Sequence, residues 1–182
     1  MKNQLNKQFY AIFSSILTIA FLTFGFVAAK AHEGDGGGGE CETKACRAAL
    51  TDAKKATAKY HDFQTALNEG FVQLSPCVSA PGLGAMGFHY GNFGRLMNPN
   101  TDVAEPEILL YIPDENGEMR LVGLEYVVPA PLVPTPPTLF GQTYFYSPER
   151  NSYELHVWAW RNNPSGTFAP FNPKLKCPSP TN

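Results

Sequence analysis

Two histidines and one glutamate lie in three separate stretches whose residue pattern predicts β-strands. His89 lies in MGFHYG, Glu125 in RLVGLEYVV and His156 in YELHVWAW. Successive side chains of a strand point to opposite faces, so His89 points away from its aromatic neighbours and shares its face with Gly87 and Gly91. Glycine in a strand often marks the close approach of a ligand or backbone, which favours a site around His89.

These three side chains have the chemistry of a metal site. If the strands form a barrel or a sandwich, His89, Glu125 and His156 meet in one cavity. Two imidazoles and one carboxylate hold zinc, iron or manganese and leave coordination positions open for a substrate. Glu154 or Tyr90 is then the candidate general acid or base. In the alternative to a metal site, the three residues have structural roles only. His156 is then half-buried, Glu125 lies on the outer face of a sheet, and His89 forms a hydrogen bond with a loop.

The last predicted strands also offer an aromatic site. Trp158 and Trp160 are predicted on the face of His156, and Tyr144 and Tyr146 lie in the preceding strand. Such a surface binds a small apolar or sugar ligand without a metal. The sequence therefore leaves three functions open: a metal-dependent exported enzyme, a metal-free binding module, and a structural envelope protein with no site.

Residues 1–31 have the pattern of a secretory signal. Two lysines precede an uncharged apolar run from Phe9 to Ala29, followed by a small-residue motif that ends at Ala31. We expect cleavage before His32, and a cut after Ala29 fits nearly as well. The run is long enough to span a bilayer if it is not cleaved, so membrane attachment is expected only in that case. The protein is expected to be secreted or periplasmic.

Charge and composition divide the remaining chain. Residues 1–31 hold three of the 14 basic residues and none of the 16 acidic ones, so the rest has a formal charge of −5, which argues against nucleic acid as a partner. The leader at residues 32–40, HEGDGGGGE, has no apolar anchor and is expected to be flexible. All 16 prolines follow Ser75. Residues 41–182 are therefore expected to form a single domain, with a helix in 41–70 and a β-body in 71–182.

The periodicity of apolar residues supports this division. From Thr43 to Glu69, residues at spacings of three and four predict a helix with one buried stripe, formed by Ala49, Ala53, Ala56, Tyr60, Phe63 and Leu67. In the β-body, EILLYIP and EMRLVGLEYVVP flank the turn sequence DENG and predict a hairpin. The stretch at 129–139 is too rich in proline for a central strand and should cross the surface or form a lid.

The predicted strands define the fold class. Val122, Leu124, Tyr126 and Val128 are expected to share the core face of the second hairpin strand. The predicted fold is mainly β with one N-terminal helix, as a small antiparallel barrel or sandwich.

The four cysteines are expected to be oxidised in an exported chain. Cys41 and Cys46 lie close together, whereas Cys77 and Cys177 bracket the proline-rich body. Of the three pairings that four cysteines allow, the pairing within each of these two sets is the first choice.

Several stretches resemble an uncharacterised family of small exported bacterial proteins. They are ATAKYHDFQTALNEGFVQLSPCV, PGLGAMGFHYGN, PEILLYIP, LVGLEYVVPA and YELHVWAWRNNPSGTFAPFNP, which together cover roughly Ala56 to Cys177. The resemblance implies that the helix and the β-body form one unit, and it transfers no catalytic residues. PGLGAMGFHYGN is also similar to a cupin histidine motif, although its spacing differs and the HxH pair is absent. That similarity implies only a small barrel, and the metal-dependent hypothesis above is one of cupin-like logic.

Overall fold

A computed structural model describes residues 39–179. The predicted signal at 1–31 and most of the leader lie outside the described residues. Within the described range, none of the helices has the length and apolar character needed to cross a membrane.

The N-terminal segment forms two helices where one was predicted. Helix α1, Lys44–Thr57, begins after Thr43, whose side chain accepts a hydrogen bond from the backbone N–H of Cys46. A 3₁₀ turn at Ala58–His61 follows, and helix α2 spans Phe63–Asn68. The break falls at Asp62, which has an extended backbone and accepts from the N–H of Gln64 as the N-cap of the second helix.

The β-body is a seven-stranded antiparallel sheet whose edges stay open. Its central order is β1-β3-β4-β5-β9-β8, and β2 pairs with β3. A separate hairpin joins β6 to β7, and a short helix α3, Phe93–Leu96, follows β3. The strands span Phe71–Gln73 (β1), Val78–Ala80 (β2), Gly84–Asn92 (β3), Ile108–Pro113 (β4), Met119–Pro129 (β5), Thr138–Leu139 (β6), Gln142–Thr143 (β7), Phe145–Ser147 (β8) and Ser152–Val157 (β9).

The mainly antiparallel β fold is confirmed, but the barrel alternative is wrong. The two ends of the sheet, β1 and β8, do not pair with each other in the described structure. The predicted sandwich fits, because apolar residues pack on both faces of the sheet. One face carries the larger cluster, which includes Tyr60 from the helical segment. The other face carries a smaller cluster, which includes Leu175 from the C-terminal tail.

A bulge in β5 changes the face on which Val122 lies. Leu110 pairs with Gly123, but the next residue of β4, Tyr111, pairs with Leu121, so Val122 is an extra residue in the ladder. Leu121 therefore joins the larger cluster and Val122 joins the smaller one. The prediction that Val122 shares a face with Leu124, Tyr126 and Val128 is wrong for this residue alone.

Both predicted disulfides are confirmed. Cys41 bonds to Cys46 and Cys77 bonds to Cys177, with Cα atoms 5.4 and 5.7 Å apart, and no free cysteine remains among the described residues. The second bond ties the segment between β1 and β2 to the C-terminal tail. The proline-rich stretch at 129–139 runs over the surface as predicted, since none of its residues is buried.

Candidate metal centre

Strand register brings the three predicted ligands together. Glu125 on β5 pairs directly with His156 on β9. His89 on β3 pairs with Leu110 of β4, which in turn pairs with Gly123, two residues before Glu125. Residues two apart on a strand share a face, so Glu125 lies on the same face of the sheet as Gly123 and therefore as His89. The His89 side chain reaches towards Glu125 across the intervening strand, β4.

The distances within the cluster suit a metal ion. His89 Nε2 lies 3.4 Å from Glu125 Oε2, and His156 Nε2 lies 3.4 Å from Glu125 Oε1. One ligand atom from each residue can be chosen so that all three lie within 4.8 Å of one another. Two ligands of a tetrahedral ion, each about 2.1 Å from it, are about 3.4 Å apart. The two 3.4 Å separations involve different oxygens of Glu125, so the three residues form a group that could hold a metal ion.

The cluster is buried and its hydrogen bonding is incomplete. His89, Glu125 and His156 expose 9%, 3% and 1% of their surface. Glu125 Oε2 and both ring nitrogens of His156 are buried without a hydrogen-bond partner among the described residues. Each such group costs roughly 1–3 kcal/mol when it is left unpaired, so these are the atoms that a bound water or ion would satisfy.

Burial also sets the protonation of the three ligands. It lowers the pKa of His156 to about 4. The pKa of His89 is also lowered, mainly by burial, against the opposing effect of Glu125. Both imidazoles are therefore neutral near pH 7, which is the form that binds metals. Burial raises the pKa of Glu125 to about 7, with the charge of His89 opposing the shift.

Two neighbouring side chains hold the imidazoles in place. Ser75 Oγ lies 3.1 Å from Nδ1 of His89, and the backbone N–H of Leu74 donates to the carbonyl of His89. The ring of Phe145 stacks on His156 with centroids 6.3 Å apart. With Ser75 at Nδ1, the Nε2 atom of His89 is left to face Glu125, as expected for an oriented metal ligand.

Glu154 lies beside the cluster but is engaged in an ion pair. It is fully buried, lies two residues before His156, and accepts hydrogen bonds from Arg150 and Ser152. Burial alone would raise the pKa of Glu154, but the hydrogen bonds and charge of Arg150 outweigh it and the pKa is lowered. Glu154 is thus a carboxylate near pH 7 and has no proton to donate as a general acid.

The structure does not bring Tyr90 to the cluster. Its side chain lies on the opposite face from His89, where its hydroxyl donates to Gln73 Oε1 at 3.2 Å. Its ring packs against Phe63 and Tyr111 in the larger cluster. An acid or base role for Tyr90 at His89 is therefore excluded by its position.

The predicted aromatic surface does not form either. Trp158 is buried, and its Nε1 donates to the carbonyl of Ala169. Trp160 lies beyond the end of β9, so the alternation of faces no longer applies, and its Nε1 donates to Thr57 of α1. Tyr144 is 2% exposed and Tyr146 is 50% exposed. The prediction that Trp158 and Trp160 share a face is therefore wrong.

The glycines beside His89 have a different role from the one expected. Gly87 has a φ of 105°, and a Cβ atom there would lie 2.5 Å from the carbonyl oxygen of Tyr111. At Gly91 the space is filled by Leu74, whose Cδ1 would lie 2.4 Å from an added Cβ. The glycines therefore allow close packing of backbone and of Leu74, instead of leaving open space around the imidazole.

Sequence reasoning missed Ser75, Phe145 and Arg150. Ser75 lies between two short strands, and Arg150 lies in the turn between β8 and β9. Loop residues have no periodicity that assigns them a face. The spacing of Arg150 and Glu154 was the only available signal for their ion pair.

Comparison of the chain with family models, curated proteins and solved structures finds no match.

Proposed function

We propose that this protein binds a divalent metal ion through His89, Glu125 and His156, with zinc, iron and manganese as the candidate ions. The observation that carries the proposal is the set of buried, unpaired ligand atoms that face one another across three strands. A metal ion would accept the lone pairs of two neutral imidazoles and neutralise Glu125 at the same time. In the described structure these atoms have no hydrogen-bond partner, so a bound ion would be their partner.

Three protein ligands leave coordination positions free. This is the arrangement of catalytic metal sites, in which water or substrate occupies the open position. The two disulfides support an oxidising, exported compartment. We therefore extend the proposal to an exported metal-dependent protein that acts on or binds a small-molecule ligand at the ion.

Metal content and affinity test the proposal. Protein purified without a histidine tag is analysed for bound metal, and the metal-free form is then titrated with Zn²⁺, Fe²⁺ and Mn²⁺. We expect one ion per chain for at least one of these metals. Loss of either histidine should weaken binding at least 100-fold, because it removes one of three protein ligands.

Each histidine variant has a matched control. His89→Ala and His156→Ala should lose the ion, whereas His61→Ala should keep it, because His61 packs against Trp160 away from the cluster. Far-ultraviolet circular dichroism establishes that each variant is folded. Stoichiometric metal in the folded double variant His89→Ala, His156→Ala would refute the proposal.

A further inference from the structure

A short segment after β1 connects the proposed metal centre to a disulfide. Ser75, Pro76 and Cys77 lie between β1 and β2. Ser75 Oγ donates to the carbonyl of Pro76 at 2.8 Å and lies 3.1 Å from Nδ1 of His89. A hydroxyl has one proton, so Ser75 accepts its other hydrogen bond from the Nδ1–H of His89. This bond selects the tautomer in which Nε2 of His89 has a lone pair for an ion.

Few other contacts hold this segment in place. The strands on either side pair with β3, but no backbone hydrogen bond joins residues 75–77 to another part of the described structure. Gln73 Nε2 donates to the carbonyl of Ser75, but Gln73 is an exposed neighbour in the chain. Cys77 is bonded to Cys177, 100 residues further along. The disulfide therefore ties this segment to a distant part of the chain.

The other end of the disulfide is anchored on the strand that carries His89. Cys177 packs against the smaller apolar cluster. Five residues before it, Asn172 exchanges backbone hydrogen bonds of 3.0 and 3.2 Å with Ala85. Ala85 lies in β3, as does His89. The C-terminal tail and His89 thus have the same support, and the disulfide connects this support to the segment of Ser75.

The disulfide is accessible from solvent. Both of its cysteines are partly exposed. Cys177 also lines a surface cavity of about 470 Å³, together with Pro81, Gly82, Leu175 and Lys176. Exposed disulfides exchange with thiols more readily than buried ones, and such exchange can change the state of a protein.

We infer that the redox state of the Cys77–Cys177 disulfide regulates metal binding at the proposed centre. This inference rests on the proposed function. The oxidised bond holds Ser75 against His89 and keeps the imidazole in the tautomer that binds an ion. Reduction releases residues 75–77, so His89 loses this orientation and the affinity for the ion falls.

The exchange has two steps and requires a dithiol. One thiolate of the dithiol attacks Sγ of Cys177, the cysteine that lines the cavity. A new S–S bond forms, and Cys77 leaves as a thiolate that takes up a proton. The second thiolate of the dithiol then displaces Cys177, which is protonated in turn. The protein disulfide gains two electrons and two protons, and the dithiol is oxidised to a disulfide.

Zinc affinity in the two redox states tests the inference. The variant Cys41→Ala with Cys46→Ala retains only the Cys77–Cys177 disulfide, since the sequence has four cysteines. This disulfide is reduced with a phosphine, and both thiols are alkylated so that they cannot bind Zn²⁺. We expect the reduced form to bind Zn²⁺ about 10- to 100-fold more weakly than the oxidised form, as is typical when a group that orients a metal ligand is lost.

Cys77→Ala with Cys177→Ala is the matched control, because its one disulfide is Cys41–Cys46. Its affinity for Zn²⁺ should be low from the start, and the same treatment should not change it. Far-ultraviolet circular dichroism establishes that each form is folded. Equal Zn²⁺ affinity in the folded oxidised and reduced forms of the Cys41→Ala, Cys46→Ala variant would overturn the inference and leave the proposed function standing.

Ser75→Ala tests the contact while the disulfide stays intact, and it decides the matter if reduction unfolds the protein. It should weaken Zn²⁺ binding about tenfold or more, and Ser75→Thr, which keeps the hydroxyl, should restore it. Ser79→Ala is the control, because Ser79 is exposed in β2, and it should match the wild type.

The tautomer of His89 provides a second measurement. NMR of the ring nitrogens should show a proton on Nδ1 of His89 in the oxidised, metal-free protein and a mixture of tautomers in Ser75→Ala. Wild-type Zn²⁺ affinity in Ser75→Ala would overturn the inference, because the disulfide would then have no contact through which to act. A wild-type protein that takes up no metal would overturn the proposed function and this inference with it.

Discussion

His156 is the residue that most directly links the physical state of the cluster to its chemistry. Burial keeps its imidazole neutral, yet the same burial leaves both ring nitrogens without partners. A purely structural histidine normally has at least one hydrogen bond when buried. Its one polar neighbour in the cluster, Glu125, lies at 3.4 Å without a hydrogen bond, at the separation expected for two ligands of one ion.

Glu125 should make metal binding depend on pH. Its pKa is raised to about 7 because it is buried, so below that pH a proton must leave before the carboxylate can bind an ion. Burial lowers the pKa of both histidines, that of His156 to about 4, so Glu125 is the first of the three side chains to gain a proton as the pH falls. We expect affinity to fall up to about tenfold per pH unit as the pH drops below about 7. Zn²⁺ titration at several pH values measures this.

The control for this dependence is Glu125→Gln, which has no proton to lose. It should bind Zn²⁺ more weakly above pH about 7 and show a flatter profile below it. A wild-type affinity that is constant from pH about 7.5 to about 5.5 would contradict the assignment of Glu125 as a ligand.

At the scale of strands, the alternation of side chains between the two faces of the sheet predicted the cluster correctly. It failed where the pairing of strands is irregular. The period of two correctly placed Glu125 and Leu124 on opposite faces of β5. It also placed His156 and Leu155 on opposite faces of β9, because both strands are regular there. The face of Val122 was predicted wrongly because a bulge depends on how two strands pair and is not visible in the alternation of apolar and polar residues along one strand. The face of Trp160 was predicted wrongly because β9 ends at Val157, where the N–H of Ala159 donates back to the carbonyl of Val157, so the alternation stops before Trp160.

Other features depend on contacts between distant residues. The break at Asp62 was readable in principle, because aspartate is a strong N-cap residue, but the continuous apolar spacing concealed it. Ser75 contacts His89, 14 residues away, through a loop without periodicity. Sequence patterns therefore identified the three side chains of the cluster on the strands, whereas the neighbours that orient them became evident only in three dimensions.

The close approach of β3 to β4 predicts a specific cost at Gly87. Gly87→Ala places a methyl group 2.5 Å from the carbonyl oxygen of Tyr111 at a positive φ, so both overlap and backbone strain oppose it. We expect a loss of roughly 3 kcal/mol in the free energy of unfolding, measured by urea denaturation. Gly117→Ala is the matched control, because Gly117 has a φ of 82° with nothing within 4 Å, and it should cost about 1 kcal/mol. Equal losses in the two variants would contradict the overlap.

Glu107 at the start of β4 should make stability depend on pH. It is 2% exposed, its Oε2 accepts from the N–H of Val127, and burial raises its pKa from 4.5 to about 8. The folded state therefore favours the protonated carboxyl. The stability from this group is fully present below pH about 4.5 and is lost as the pH rises through about 8.

Glu107→Gln keeps an acceptor for Val127 and does not titrate. We expect the variant to match the wild type near pH about 4.5 and to be more stable by a few kcal/mol near pH about 8.5, as measured by urea unfolding. Glu115→Gln, at an exposed position in the β4–β5 turn, is the control and should not change the profile. Parallel profiles for wild type and Glu107→Gln would show that Glu107 is ionised in the folded protein.

For the whole molecule, the Cys77–Cys177 bond should be the more stabilising disulfide. It closes a loop of 100 residues, against five for Cys41–Cys46. The chain-entropy model gives about 4.7 kcal/mol for the long loop and about 2 kcal/mol for the short one. We therefore expect Cys77→Ala with Cys177→Ala to lower the melting temperature more than Cys41→Ala with Cys46→Ala. An equal or smaller effect of the long-loop pair would contradict this.

The proposed metal centre takes its ligands from β3, β5 and β9, so an ion would bridge parts of the chain that are far apart in sequence. Anomalous diffraction from crystals grown with Zn²⁺ tests this centre most directly. We predict one anomalous peak about 2.0–2.2 Å from Nε2 of His89, Nε2 of His156 and an oxygen of Glu125. A map with no peak at these three side chains, from crystals in which the protein is folded and zinc is present, would contradict the account.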